Sequence, residues 1–237
     1  LREAAEYYAK PCESNKRIPQ NIQKALKYYE RAAISPDYLD FNDHAYVTMQ
    51  AIILRTLNID GQSQDWSRIA HLLQQPAIYT LDGIWPYLAY VFTFKKGNTP
   101  AIRTAIECVN QASKCYDRYG SYDYADHLWQ LAAGYCYEIG AMTKEPDLDQ
   151  AVTFYEHARE SINRLNTIND NCFGTGKPLA IPDEASERLE AFELVDGHYQ
   201  YKEGIQQSST TCNPMPPAWP QNSVDVDRKS TRLNSSH

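Results

Sequence analysis

The side chains best suited to chemistry in this chain are aromatic. Eighteen Tyr and four Trp are many for 237 residues, and they cluster at Trp85, Tyr87 and Tyr90 and again at Tyr116, Tyr119, Tyr122 and Tyr124. Tyr and Trp join a large apolar area to a polar tip, which suits them to grip another chain. At helical spacing such stripes more often build a core. The remainder are candidates for lining a groove.

Catalytic constellations are weaker. Gly174-Thr175-Gly176-Lys177 invites comparison with a phosphate loop. That motif needs Gly where Asn171 stands and Ser or Thr where Pro178 stands, and no strand precedes it. There is no CxxC or HExxH pair, and His44, His71, His127, His157 and His198 are scattered. A cluster of His127 with Cys136 or Cys108 across neighbouring helices is the one conceivable metal site, and buried free cysteine explains those residues better. Cys136, between Tyr135 and Tyr137, reads as core, and no nucleophile elbow surrounds a serine. The expectation is a non-enzyme with no catalytic residue, no metal and no cofactor. Among carboxylates, Asp82, Asp123 and Asp126 lie near aromatics. They support an alternative, an all-α glycan-active enzyme, since glycoside hydrolysis needs two carboxylates flanking the bond. Their ordinary role is helix capping.

Composition limits the partners. Apolar residues make up 43%, enough for a core and too many for a disordered chain. No run approaches the roughly 20 apolar residues of a membrane-spanning helix. The last eleven residues, Asp227 to His237, read DRKSTRLNSSH, which resembles a translated sequencing adapter, so the expectation is that they are an artefact. Without Arg228, Lys229, Arg232 and Asp227 the chain keeps 20 basic and 29 acidic residues. An acidic chain without basic runs grips phosphate backbones poorly, so nucleic acid is not an expected partner. Cys108 and Cys115 lie seven apart on one predicted helix, too far to bridge. Cys12, Cys172 and Cys212 fall in predicted loops and would pair only in an oxidising compartment. Because the chain starts at Leu1 and enters a helical pattern at once, it reads as a fragment of unknown localisation, in a bacterial envelope or the cytoplasm.

The elements that would position these residues recur. NIQKALKYYERAA (21–33), DWSRIAHLLQQPA (65–77), PAIRTAIECVNQA (100–112) and DLDQAVTFYEHAR (147–159) share one pattern. Aligned on Ala25, Ile69, Ala105 and Ala151, they are spaced by 44, 36 and 46 residues, the range of helical-hairpin repeats. Ile22, Ala25, Leu26, Tyr29 and Ala33 fall on one helical face, and the later copies follow suit. A second helix-compatible segment precedes each copy, at roughly 1–10, 44–57, 84–96 and 124–139. The third is aromatic and β-branched enough for a strand, and its place in the repeat decides for helix. Gly97-Asn98-Thr99-Pro100 supplies a stop, a cap and a first-turn proline. Asp147 with Gln150 has capping-box spacing, and Gly140 suits a left-handed helix end.

Residues 17–33, with Pro19-Gln20-Asn21, Ala25-Leu26, Tyr28-Tyr29-Glu30 and Ala32-Ala33, resemble half of a Sel-like repeat of the tetratricopeptide superfamily. Residues 125–160 resemble a complete copy, with Ala132, Gly134, Tyr135 and Tyr137 matching its first-helix pattern. The middle copies are weaker: Ile69 replaces Ala, and 84–96 lacks the glycine signature. The resemblance covers about three-fifths of the chain. It implies a right-handed α-α superhelix of about four helix-turn-helix repeats over 1–165, with a protein or peptide held in the concave groove. First-helix positions face that groove, which selects Tyr87, Tyr90, Tyr124 and His127 as the partner-binding residues.

Beyond Leu165 the pattern stops. Residues 166–203 read as a loop followed by a capping helix from Asp183 on which Ala185, Leu189 and Phe192 share a face. Residues 204–226 read as an extended tail.

Overall fold

The computed structural model describes residues 1–9, 21–35, 39–56, 65–94, 102–121, 124–167 and 181–205. Cys12, Asp123, Gly174 to Lys177, Cys172, Cys212, the Gly97–Pro100 turn, most of the 204–226 tail and the 227–237 segment lie outside them.

Among the described residues the fold is mostly helical, with nine α-helices: α1 (Arg2–Ala9), α2 (Ile22–Ile34), α3 (Phe41–Thr56), α4 (Trp66–Leu72), α5 (Trp85–Thr93), α6 (Ile102–Tyr119), α7 (Asp126–Glu138), α8 (Leu148–Thr167) and α9 (Glu184–Leu189). Each repeated sequence copy is a helix, and each preceding segment is another. Helices α2, α4 and α8 start where the sequence offers an oxygen to an orphan amide. Asn21 Oδ1 accepts from Lys24 N at 2.9 Å, Asp65 Oδ1 from Arg68 N at 3.0 Å, and Asp147 Oδ1 from Gln150 N at 3.0 Å. Only half of the capping box forms at Asp147. Its backbone N–H donates instead to the Tyr137 carbonyl at 3.1 Å, tying the start of α8 to the end of α7.

The second copy departs from expectation. Its helix stops at Leu72, and Pro76–Thr80 forms a separate 3-10 turn. Pro76 has no N–H to donate and its ring would collide with the Leu72 carbonyl, so the helix cannot run through to Ala77. A second 3-10 turn, Asp82–Ile84, leads into α5.

Successive helices pack on one another: α1 on α2, α2 on α3, α5 on α6 and α7, α7 on α8, and α8 on α9. The apolar faces read from the sequence are the buried ones. Ala25, Tyr29, Ala32 and Ala33 of α2, Ala105, Val109 and Ala112 of α6, and Ala151, Val152, Tyr155 and Ile162 of α8 join one continuous core. Residues 86–93 of α5 are buried on every side, as an apolar helix covered by neighbours must be. Gly134 lets α7 approach α8: a Cβ there would lie 2.6 Å from the Tyr155 ring. Glu30 joins three helices by accepting from Arg55 at 2.8 Å and meeting Arg68 at 3.4 Å.

The end of the domain corrects the sequence reading. The capping helix ends at Leu189, and Phe192 is not on it. Phe192–Val195 (β1) and His198–Tyr201 (β2) form an antiparallel hairpin, with Phe192 opposite Tyr201 and Val195 opposite His198. Asp196 (φ 53) and Gly197 (φ 87) make its two-residue turn, the Asp-Gly signature of a type I′ connection. Hairpin and α8 are tied at Asp149, which meets His198 Nδ1 at 2.8 Å and accepts from Tyr199 N at 2.8 Å.

Candidate functional site

Three of the four predicted partner-binding residues are buried. Tyr87 is 2% exposed, Tyr90 1% and His127 3%, while Tyr124 is half-buried. Tyr87 interacts with Thr56 of α3. The His127 Nδ1 finds no hydrogen-bond partner among the described residues, and burial lowers the imidazole pKa to about 4, so the ring stays neutral at physiological pH. The four are not gathered on one accessible surface. Of the carboxylates, Asp126 is buried against Arg164 (2.9 Å) and Ser121 (2.8 Å), whereas Asp82 accepts from Tyr119 at 3.2 Å. Asp123 lies outside the described residues. Cys108, Cys115 and Cys136 are free and buried, and burial raises the Cys108 and Cys136 thiols to about 12, leaving them unreactive. No group of three metal-ligating side chains occurs among the described residues, and no helix among them is long and apolar enough to cross a membrane.

Tyr90 leads to a concentrated polar arrangement among the described residues. From α5, its hydroxyl donates to Glu184 Oε2 of α9 at 2.5 Å. One helical turn on, Arg188 of α9 places its guanidinium 5.8 Å from the centre of the Phe94 ring and 5.1 Å from that of Tyr135. Those rings, at the end of α5 and on α7, are themselves 5.5 Å apart. Rings so placed attract a cation through their quadrupoles. Arg188 also approaches Glu138 Oε2 at 3.7 Å. Glu138, at the end of α7, accepts from Tyr155 of α8 at 2.5 Å and from Tyr201 of β2 at 2.8 Å. Five elements, α5, α7, α8, α9 and β2, therefore meet around two carboxylates, one guanidinium and the three phenols that donate to those carboxylates, Tyr90, Tyr155 and Tyr201.

The electrostatics keep the phenols as donors. Burial first, and then the neighbouring Glu184, raises Tyr90, with Arg188 opposing. Burial and Glu138 do the same for Tyr155 and Tyr201. Each hydroxyl stays protonated and faces a carboxylate, the arrangement in which a charge-assisted hydrogen bond is strongest.

Sequence reasoning reached Tyr90 and missed Glu138, Glu184 and Arg188. A signal was present. Glu138 is an acid in the last turn of its helix, where the macrodipole disfavours negative charge, so a tertiary partner was to be expected. Glu184 and Arg188 are four apart on one helical face, which marks a side of α9 that makes paired polar contacts.

A scan against family models gave no match, and searches of curated proteins and of solved structures likewise found no similar chain.

Proposed function

We propose that this chain is a non-enzymatic interaction scaffold, a right-handed stack of helix pairs that holds a peptide or protein against the faces of its first helices. One observation carries the reading: a helical segment, α9, is already held here, packed along α8 and joined to the first helices α5 and α7 through Tyr90, Phe94, Tyr135 and Glu138. Aromatic rings around a half-buried Arg are the chemistry of interface hot spots. The pairwise packing of α1 on α2, α5 on α6 and α7 on α8 agrees with a helical-hairpin stack, and so does the Sel-like pattern around Ala132, Gly134 and Tyr135.

The glycan-active alternative draws no support from Asp126, whose carboxylate is turned to Arg164 and Ser121.

The test is selection of binders from a random peptide library on the immobilised chain, repeated on Tyr135→Ala. Tyr135 is half-buried, so its truncation leaves helicity largely intact. Recovered peptides should bind the parent chain at least ten-fold tighter than the variant. Failure to recover any binder, together with turnover of an oligosaccharide panel, would replace this reading with the enzymatic one.

A further inference from the structure

Resting on the scaffold reading, we infer that the face formed by α8 with the polar and aromatic groups of α5 and α7 recognises partner segments built like α9, and that α9 is their competitor within the chain. Such a segment is a short helix presenting a carboxylate and a guanidinium one turn apart, with a small residue between them.

The face specifies each of these features. The Tyr90 hydroxyl is a buried donor 2.5 Å from Glu184 Oε2, so an arriving segment must bring an acceptor to that point. The tilted ring pair Phe94 and Tyr135, with Glu138 3.7 Å from the guanidinium, favours a planar cation, and Arg suits such a slot better than Lys. Glu184 and Arg188 meet these groups together because residues four apart share a helical face. Ala185, next to Glu184, is fully buried, so a larger side chain at that position of an arriving segment would have to be repacked.

The occupant is replaceable in physical terms. A six-residue helix has no stability of its own, since nucleation costs more than so few hydrogen bonds return, so α9 is helical because it is docked. Asp183 starts it by accepting from Ser186 N at 3.0 Å, a local device that any similar segment can carry. The Arg188 side chain remains 33% exposed, which places the cation slot at the rim, where a competitor can begin to enter. A tethered segment acts at an effective concentration on the order of millimolar, so an intact α9 lowers the apparent affinity for any rival.

The test titrates a fluorescein-labelled peptide of residues 181–205 with three intact chains: the parent, Glu184→Gln and Arg188→Ala. Glu184→Gln retains an oxygen that can accept from Tyr90 and so provides a folded variant even if Arg188→Ala unfolds. Because a weakened α9 competes less, affinity for the peptide should rise from parent through Glu184→Gln to Arg188→Ala, by at least ten-fold between the first and last. A peptide carrying its own Arg188→Ala change should bind at least ten-fold more weakly than the unaltered peptide. Equal binding, or none, to parent and variant chains that keep their circular dichroism would overturn the inference. If library-selected peptides still bind while this peptide does not, the scaffold reading stands and the α9 template falls.

Discussion

Tyr155 and Glu138 share a 2.5 Å hydrogen bond across the α7–α8 pair, in a position where both side chains are almost wholly buried. The same carboxylate receives Tyr201 at 2.8 Å, so one acid links a helix pair to the hairpin that follows it. Tyr155→Phe should cost about 1–2 kcal/mol, the range for a hydrogen bond to a charged group. Glu138→Ala should cost about 3 kcal/mol or more, because it leaves two phenols and Arg188 without their carboxylate. Urea denaturation of the single and double variants checks this. A cycle in which the Tyr155 and Glu138 effects simply add would show that the bond contributes nothing.

The approach of α7 to α8 makes a second prediction. Gly134→Ala gains about 1 kcal/mol of helix propensity. It also forces a methyl group to within 2.6 Å of the Tyr155 ring and 3.1 Å of the Ala151 carbonyl oxygen. Overpacking of this kind costs about 1–3 kcal/mol. The net change should be destabilising, and a thermal melt reads it directly. Gly140→Ala should be worse, since φ is +71° and the added Cβ would lie 2.7 Å from the Glu145 carbonyl carbon.

His127 predicts a pH dependence. Its folded pKa of about 4 lies below the ordinary value of 6.5, so between those values the unfolded chain binds a proton that the folded chain does not. Stability should therefore fall as pH drops from 6.5 towards 4, by about 3 kcal/mol from this residue. His127→Leu should remove that part of the slope, and its stability at pH 7 should not fall, because the Nδ1 has no partner to lose among the described residues. Urea midpoints from pH 4 to 8 on both chains would show parallel curves if the imidazole plays no part.

The hairpin should respond in the opposite sense at higher pH. Its hydrogen bond with Asp149 raises His198, and the same contact lowers Asp149. The His198 contribution is full below its unfolded pKa and is lost as pH rises through the raised value. The Asp149 contribution is present above its unfolded pKa and is lost as pH falls through the depressed one. Docking of β2 on α8 is thus firmest between those limits. An NMR titration of His198 should give a raised pKa that returns towards the ordinary value in Asp149→Asn. An unchanged midpoint in that variant would contradict the pairing.

The sequence carried the helices well because each copy is amphipathic about a small residue, and Ala25, Ala105 and Ala151 are fully buried as their spacing required. It carried the hairpin poorly. Phe192 fits both a helical face with Ala185 and Leu189 and a strand facing Tyr201, and the Asp196-Gly197 turn was the discriminating signal. The burial of three of the four expected partner residues has a related cause. Periodicity shows that Tyr87, Tyr90 and His127 share a helix with core residues, but α5 and α7 are enclosed on several sides, so a position that would face a groove in an open stack is covered here. The contact between Tyr90 and Glu184 spans 94 residues, and no local pattern encodes it.

The scaffold account is tested most directly by mapping a library-selected peptide onto the isotopically labelled chain through amide chemical shifts. The account predicts that the largest changes fall on Phe94, Tyr135 and the residues of α9, where a segment is already held. Changes confined to α2 and α6, or to the exposed Tyr7, Phe41 and Tyr46, with α5, α7 and α8 undisturbed around α9, would contradict it.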